Sequence, residues 1–79
     1  GYHAHHVFPQ RMRSEFRACE IEIDEGIYGS WVEAKQHLGF SAKYNQEWRK
    51  FFEPGIPKKE AVLAKGREMA LKYKFTIHY

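Results

Sequence analysis

The chain has 79 residues, of which 43% are hydrophobic and 16% aromatic, and it carries a formal net charge of +3. This composition predicts one compact domain and excludes disorder. No apolar run approaches the roughly 18 residues that span a bilayer, and no signal-peptide pattern opens the chain, so we expect no membrane partner. Because the chain begins with Gly1, we expect it to be a piece of a longer protein. The single cysteine, Cys19, excludes an internal disulfide.

The charges are distributed unevenly along the sequence. Basic residues concentrate between positions 10 and 17 and again in the last third, at Arg11, Arg13, Arg17, Lys58, Lys59, Lys65, Arg67, Lys72 and Lys74. Acidic residues concentrate at Glu20, Glu22, Asp24 and Glu25. Separated basic surface is typical of proteins that bind a polyanion such as nucleic acid, although surface lysines often only solvate a protein.

The first third of the chain predicts a strand followed by a short helix. Residues 2–8 favour an extended conformation, because Pro9 disfavours helical geometry at the residue before it. Pro9 suits the first turn of a helix that we predict over about residues 10–18. Apolar residues recur in that helix at Met12, Phe16 and Cys19. This spacing predicts one buried face beneath a basic outer face.

Two further segments have the character of strands. In CEIEIDEG, Ile21 and Ile23 alternate with acidic residues until Gly26, which predicts a half-buried strand. SWVEA, which begins at Ser30, favours another strand. Residues 33–38 are equally suited to begin a helix.

The second half predicts two longer helices and a tail. The first begins at Ser41, a candidate N-cap, and ends at Pro54. Its apolar residues recur at Tyr44, Trp48, Phe51 and Phe52. The second follows Pro57 and carries a stripe at Val62, Met69 and Tyr73. Between these residues lies Gly66, whose bare backbone allows another element to approach closely. FTIHY at the end predicts a short strand or a tail, so the whole pattern predicts an α+β domain of two or three strands and three helices.

Three histidines in four positions are the most unusual feature of the sequence. Such a run near a terminus is typical of a purification tag, but a tag is rarely interrupted by alanine or followed directly by Val-Phe-Pro. Neighbouring side chains of a strand point to opposite faces, so His5 and His6 diverge. One imidazole could then bind a divalent metal while the other accepts a proton from water. His3 shares the face of His5 and is either an extra ligand or incidental.

A metal site needs at least one more protein ligand. The sequence offers His37, Asn45, Cys19, His78 and the acids of residues 20–25. On a continuous helix, His37 and Asn45 would lie about 80° apart around the axis. Asn45 precedes Trp48 by three residues, which turns its amide toward the core to serve a site or to bond a neighbouring backbone segment.

Other chemistries find less support in the sequence. A structural zinc site is one alternative, but Cys19 belongs to no CxxC or CxxH pair and fits the apolar stripe. No glycine-rich phosphate loop and no GxSxG element occurs, so nucleotide binding and serine hydrolysis have no support.

The order of these segments resembles a known group of nucleases. AHHVFPQRMRSEF, IEID, EAKQHLGF and YNQEWRKFF together resemble the HNH and endonuclease VII group of ββα-metal (His-Me finger) nucleases. More narrowly, they resemble the His-His nuclease domains at the C-termini of bacterial polymorphic toxins. The resemblance implies that His5 is a metal ligand and His6 the general base. It also implies that His37 is a second ligand and that Asn45 either completes or orients the site.

The resemblance also implies an architecture and an activity. We expect a single nuclease domain over residues 1–79: a ββα core at residues 2–53 with an additional helix on its N-terminal side, and a helical tail at residues 57–79. The domain would be the C-terminal piece of a secreted or injected bacterial effector that acts in the cytoplasm of the target cell. Its reaction would be the hydrolysis of DNA with one divalent ion, Mg²⁺, Mn²⁺, Ni²⁺ or Zn²⁺.

Partners and alternatives follow from the same resemblance. Arg11, Arg13, Lys35 and Lys43 would contact the phosphate backbone, and an acidic immunity protein would neutralise the toxin. An RNase on the same scaffold is an alternative, because DNA and RNA present the same phosphates. A non-catalytic nucleic-acid-binding or protein-binding module stabilised by zinc is another.

Overall fold

The computed structural model describes residues 2–79, with the side chains of residues 5–30 and 42–79. Over this range the chain forms three α-helices and a two-stranded antiparallel sheet, which confirms the predicted α+β class. The elements in chain order are β1 (Tyr2–His6), α1 (Arg13–Ala18), β2 (Gly29–Glu33), α2 (Ala34–Phe52) and α3 (Lys59–Tyr73). The order β1, β2, α2 is compatible with a small ββα unit, with α1 inserted between the strands and α3 appended.

The sheet brings the paired histidines against the first residues of β2. His5 pairs with Ser30, and His6 pairs with Gly29. One more backbone bond, from the amide of Val7 to the carbonyl of Tyr28 at 2.9 Å, extends the contact beyond the strand. A 3-10 turn, Gln10–Met12, follows directly and leads into α1. The predicted strand and short helix of the first third are therefore confirmed.

The strand predicted over residues 20–25 is wrong. Ile21 and Ile23 are buried and the acids between and after them are exposed, as the alternation indicated, but no strand lies beside them. The backbone instead turns sharply at Glu20, which has a positive φ of 64°. The amide of Ile21 bonds back to the carbonyl of Phe16 at 3.0 Å. The Ile21 amide therefore bonds to the end of α1, whereas a strand at this position would need that amide for pairing in a sheet.

Helix α2 begins seven residues earlier than its predicted N-cap. Ser41 lies inside a continuous helix of 19 residues that starts at Ala34, directly after β2. The alternative start within residues 33–38 is therefore the correct one. Gly39, a poor helix former, is tolerated in the interior because a single glycine costs only about 1 kcal/mol there.

The core forms between α1, α2 and the segment that follows β1. Trp48 is fully buried, and its ring lies 5.1 Å from that of Phe16 and 5.6 Å from that of Phe8, centroid to centroid. Both contacts are edge-on, an arrangement that aromatic rings favour. The predicted stripe of α1 is buried in this core at Met12, Phe16 and Cys19.

Helix α3 and the tail close the other side of the core. Val62 and Met69 are fully buried, as their spacing predicted. Gly66 is the point of close approach: a Cβ there would lie 2.1 Å from the hydroxyl of Tyr79. That hydroxyl donates to the carbonyl of Leu63 at 2.7 Å and fixes the chain end over the glycine. Residues 75–79 form a packed tail without strand pairing.

Within residues 2–79, no helix combines the length and the apolar character that a membrane crossing requires.

Candidate functional site

The two histidines at the end of β1 face opposite environments. His5 is 5% exposed and lies in the core, whereas the side chain of His6 is 35% exposed. The alternation of side chains along a strand produces this difference. The predicted divergence of the pair is confirmed.

His6 contacts an amide on one side and a carboxylate on the other. Its Nδ1 lies 3.3 Å from the side-chain nitrogen of Gln10, in the turn that follows Pro9. Its Nε2 lies 3.6 Å from Oδ1 of Asp24. The same amide nitrogen lies 3.4 Å from Nε2, so Gln10 contacts both ring nitrogens and does not select a tautomer. A carboxylate accepts hydrogen bonds, so Asp24 stabilises a ring nitrogen that carries a proton.

Asp24 belongs to a chain of ion pairs that runs along α1. The Arg13 guanidinium donates a hydrogen bond to Asp24 and holds the pKa of that carboxyl below its usual range. Arg13 also lies 3.7 Å from Glu22, and Arg17 lies 3.4 Å from the same carboxylate. Asp24 therefore stays ionised beside His6, while the charges of Arg13 and Arg17 are neutralised within the protein.

A small cavity opens beside the paired histidines. Its volume is about 160 Å³, and it is lined by His5, His6, Ile23, Asp24, Glu25, Gly26 and Gly29. Residues of β1, of the turn after α1 and of the first position of β2 thus surround a space that is large enough for a few water molecules. The acids of residues 20–25 contribute to this site through the turn that replaces the predicted strand.

His5, the predicted metal ligand, packs against aromatic rings. Its ring centroid lies 4.7 Å from that of Tyr44 and 4.9 Å from that of Phe75, both edge-on. Tyr44 is held in place by its hydroxyl, which donates to the carbonyl of Val7, and burial raises its pKa. The tail therefore covers His5 from one side and α2 covers it from another.

The predicted metal shell can be compared with the described residues only in part. Among side chains 5–30 and 42–79, no group of three His, Cys, Asp or Glu residues could hold a metal ion. His37 lies on the first turns of α2, and its side chain is outside the described residues, as are those of His3 and Lys35. The described contact of His5 with α2 is at Tyr44, about 10.5 Å further along the axis than His37. The ligand pair His5 and His37 remains a prediction.

Cys19, another candidate ligand, is buried and donates to the carbonyl of Pro57 at 3.3 Å, and burial raises the pKa of its thiol. This contact ties α1 to the start of α3, which is the core role that the apolar stripe indicated. His78 is exposed in the tail.

Asn45 and the residues predicted to contact phosphate do not lie together in one site. Asn45 is half-buried and lines a second cavity with Arg11, apart from the cavity lined by His6. Arg13 is engaged by Asp24, and Lys43 is exposed on α2. The structure thus brings His5 and His6 to one cavity and Arg11 and Asn45 to the other.

The sequence does not single out the two residues that contact the His6 ring. Asp24 is one of several candidate acids in residues 20–25, and Gln10 is not among the candidates. The four-residue separation of Gln10 from His6 could have indicated this contact, because the turn after Pro9 folds the Gln10 side chain back toward His6. The approach of Asp24 depends on the sharp turn at Glu20, for which the sequence carries no glycine.

No family model, no curated protein and no solved structure matches this chain. The function must therefore be argued from the site itself.

Proposed function

We propose that the protein is a metal-dependent endonuclease that hydrolyses phosphodiester bonds of DNA, with His6 as its general base. The observation that carries the proposal is the setting of His6: its side chain is partly exposed at a cavity, Gln10 contacts its ring, and an ionised Asp24 faces Nε2. A general base needs access to substrate and a neighbour that stabilises the charge it acquires. The cavity provides the access, and Asp24 is that neighbour.

In the proposed reaction, a ring nitrogen of His6 takes a proton from a water molecule in the cavity. The water oxygen forms a bond to phosphorus as the bond from phosphorus to the leaving deoxyribose oxygen breaks, and that oxygen takes a proton from solvent. Asp24 stabilises the imidazolium that results, because the carboxylate lies 3.6 Å from Nε2. A group in this geometry contributes on the order of 10²–10⁴ in rate.

The finer fold assignment, a ββα-metal unit, is part of the proposal. It is supported by the succession β1, β2, α2 and by the paired histidines at the end of β1. A divalent ion would neutralise charge on the phosphate, with His5 and His37 as proposed ligands. Asn45 lines a separate cavity, so its role in completing or orienting the metal site stays a prediction. The described side chains do not form a metal site by themselves, so the assignment of the base rests on His6, Gln10 and Asp24 alone.

The biological setting is proposed from the resemblance. A toxin domain delivered into a target cell would need an acidic immunity protein to protect the producing cell. The net charge of +3 suits both a nucleic-acid substrate and an acidic inhibitor. RNA remains the alternative substrate, and parallel digestion of DNA and RNA distinguishes the two.

Plasmid cleavage tests the proposal. With Mg²⁺ or Mn²⁺ the protein should nick and linearise supercoiled DNA, EDTA should stop the reaction, and His6→Ala should slow it on the order of 10²–10⁴-fold. His78→Ala is the matched control, because it removes an exposed imidazole from the tail and should leave cleavage unchanged. Full activity of the His6→Ala protein would refute the assigned base.

Chelation also tests the zinc-module alternative. Circular dichroism before and after EDTA should show an intact helix signal if the ion serves catalysis. Loss of the helix signal would instead indicate a structural zinc site.

A further inference from the structure

We propose that the second cavity is a groove that binds the phosphate backbone of the nucleic acid. It lies between the turn Gln10–Met12 and the C-terminal half of α2 and has a volume of about 410 Å³. Besides one alanine, it is lined by three cations, two carboxamides and one carboxylate: Arg11, Arg49, Lys50, Asn45, Gln46 and Glu53. This inference rests on the proposed nuclease function for the identity of the polymer.

The cations of this groove are available to a ligand. Arg11, Arg49 and Lys50 form no ion pair with any residue whose side chain the structure describes. Glu53 is the one carboxylate among the described residues of the lining, and together these residues carry a net positive charge of two. Uncompensated cations around a concavity attract a polyanion at long range. The pairing of Arg13 and Arg17 with acids removes those two arginines from the same task.

The lining residues of α2 form two adjacent rows on one helix face. Asn45, Arg49 and Glu53 follow each other at intervals of four residues, and Gln46 and Lys50 form the row beside them. Successive members of a row are about 6 Å apart along the axis. Arg11 faces them from the turn after Pro9. Hydrogen-bond donors therefore lie on both walls of the groove, where they could contact an extended nucleic-acid backbone along its length.

The chemistry of the lining favours phosphates over a protein surface. Arginine, lysine and carboxamide side chains are the usual donors to phosphate oxygens. A protein partner is usually anchored by aromatic or large aliphatic side chains, and the described residues that line the groove include none of these. Arg49 and Lys50 also lie in the last turn of α2, where cations stabilise the helix dipole. That effect does not account for Arg11, which comes from a different element.

The turn after Pro9 connects the groove to the proposed base. Gln10 contacts His6, and the next residue, Arg11, lines the groove. A nucleic-acid strand bound by Arg11 is therefore held one residue away from Gln10, which contacts the proposed general base, His6. The groove would guide the substrate toward the His6 cavity, and Asn45 would bind substrate there instead of completing a metal shell.

Binding of a short fluorescein-labelled DNA duplex, measured by polarisation in EDTA, tests this groove without cleavage. The test variant combines Arg49→Gln with Lys50→Gln. The control combines Lys58→Gln with Lys59→Gln, which removes the same charge from the start of α3. Thermal melts followed by circular dichroism verify that both variants fold. If the Arg49→Gln, Lys50→Gln protein fails to fold, Arg11→Gln alone provides the same test from the other wall.

We expect the groove variant to bind DNA several-fold more weakly than the control variant. The slope of log affinity against log salt, between about 50 and 200 mM, should fall by about 1 for each phosphate that the variant no longer neutralises. Equal affinities and slopes in the two variants would overturn the groove. A groove variant that binds DNA normally but no longer responds to competing polyglutamate would also overturn it, in favour of an acidic protein.

The binding readout separates this inference from the proposed activity. Weakened binding in the groove variant together with full cleavage by His6→Ala would refute the assigned base and leave the groove supported. Normal binding in the groove variant together with loss of cleavage in His6→Ala would refute only the groove.

Discussion

The two faces of β1 are built from different kinds of interaction. On the face of His5, aromatic residues from α2 and the tail pack closely and exclude water. On the face of His6, exposed charged side chains from α1 and the following turn form a chain of ion pairs that ends at His6 and Asp24, beside a cavity. Buried apolar contacts stabilise a fold by several kcal/mol per side chain, whereas exposed ion pairs contribute little. The comparison therefore predicts that stability lies on one face and activity on the other.

Trp48→Ala should have the largest effect on stability. The indole is fully buried among Phe8, Phe16 and Phe52, and its loss leaves a cavity that this small core cannot refill. We expect the free energy of unfolding to fall by about 3–5 kcal/mol, which is a large part of the total stability of a small domain. Urea denaturation followed by circular dichroism measures it. A loss below about 1 kcal/mol would contradict the assigned core.

Gly66→Ala should have the next largest effect. The added methyl would overlap the Tyr79 hydroxyl, displacing the tail and its bond to the carbonyl of Leu63. We expect a loss of about 1–2 kcal/mol. Gly26→Ala is the control, because a Cβ there meets nothing within 4 Å. Combining Gly66→Ala with Tyr79→Phe should cost less than the sum of the two changes, and simple additivity would show that the hydroxyl is not the obstacle.

Alkaline pH should weaken the apolar face alone. Burial and the hydrogen bond to Glu47 raise the pKa of Tyr73 to about 12, and burial raises that of Tyr79 to about 12 as well. An ordinary tyrosine titrates near 10, so the folded state holds these protons more tightly than the unfolded state does. Their contribution is complete below about pH 10 and is lost as the pH rises from about 10 to 12. Tyr73→Phe should reduce this slope in urea titrations, and an unchanged slope would contradict the assignment.

Asp24→Asn should have the smallest effect on stability and a large one on activity. Asp24 is exposed, so solvent screens its ion pair with Arg13 and the pair should contribute little to stability. Cleavage should fall roughly tenfold to hundredfold, because the carboxylate no longer orients His6 or stabilises its charge. Glu25→Gln, in the same cavity but unpaired with His6, is the control. Equal losses of activity in both variants would indicate a general charge effect.

The same contrast explains what the sequence could predict. Apolar spacing predicted the buried residues of α1 and α3, because each lies on an element with a regular repeat. It also predicted the burial of Ile21 and Ile23, but not their conformation. Alternation indicates which side chains are buried and leaves open whether a neighbouring strand is available.

The polar site was only half predictable. The divergence of His5 and His6 follows from strand geometry alone. The partnership of His6 with Asp24 joins residues 18 positions apart across an irregular turn, and no repeat reports it. The sequence likewise did not predict that Arg11 and Arg13 lie in different environments, because both were predicted on the same basic face of the helix. In the structure, Arg13 is held by Asp24 while Arg11 turns toward α2.

A double-mutant cycle on plasmid cleavage tests the central claim, that Asp24 acts through His6, most directly. Initial rates would be compared for the unmodified protein, His6→Ala, Asp24→Asn and the double variant, with folding verified for each by circular dichroism. The account predicts that Asp24→Asn slows cleavage only when His6 is present, so that the double variant is no slower than His6→Ala. The same fractional loss from Asp24→Asn in both backgrounds would contradict it.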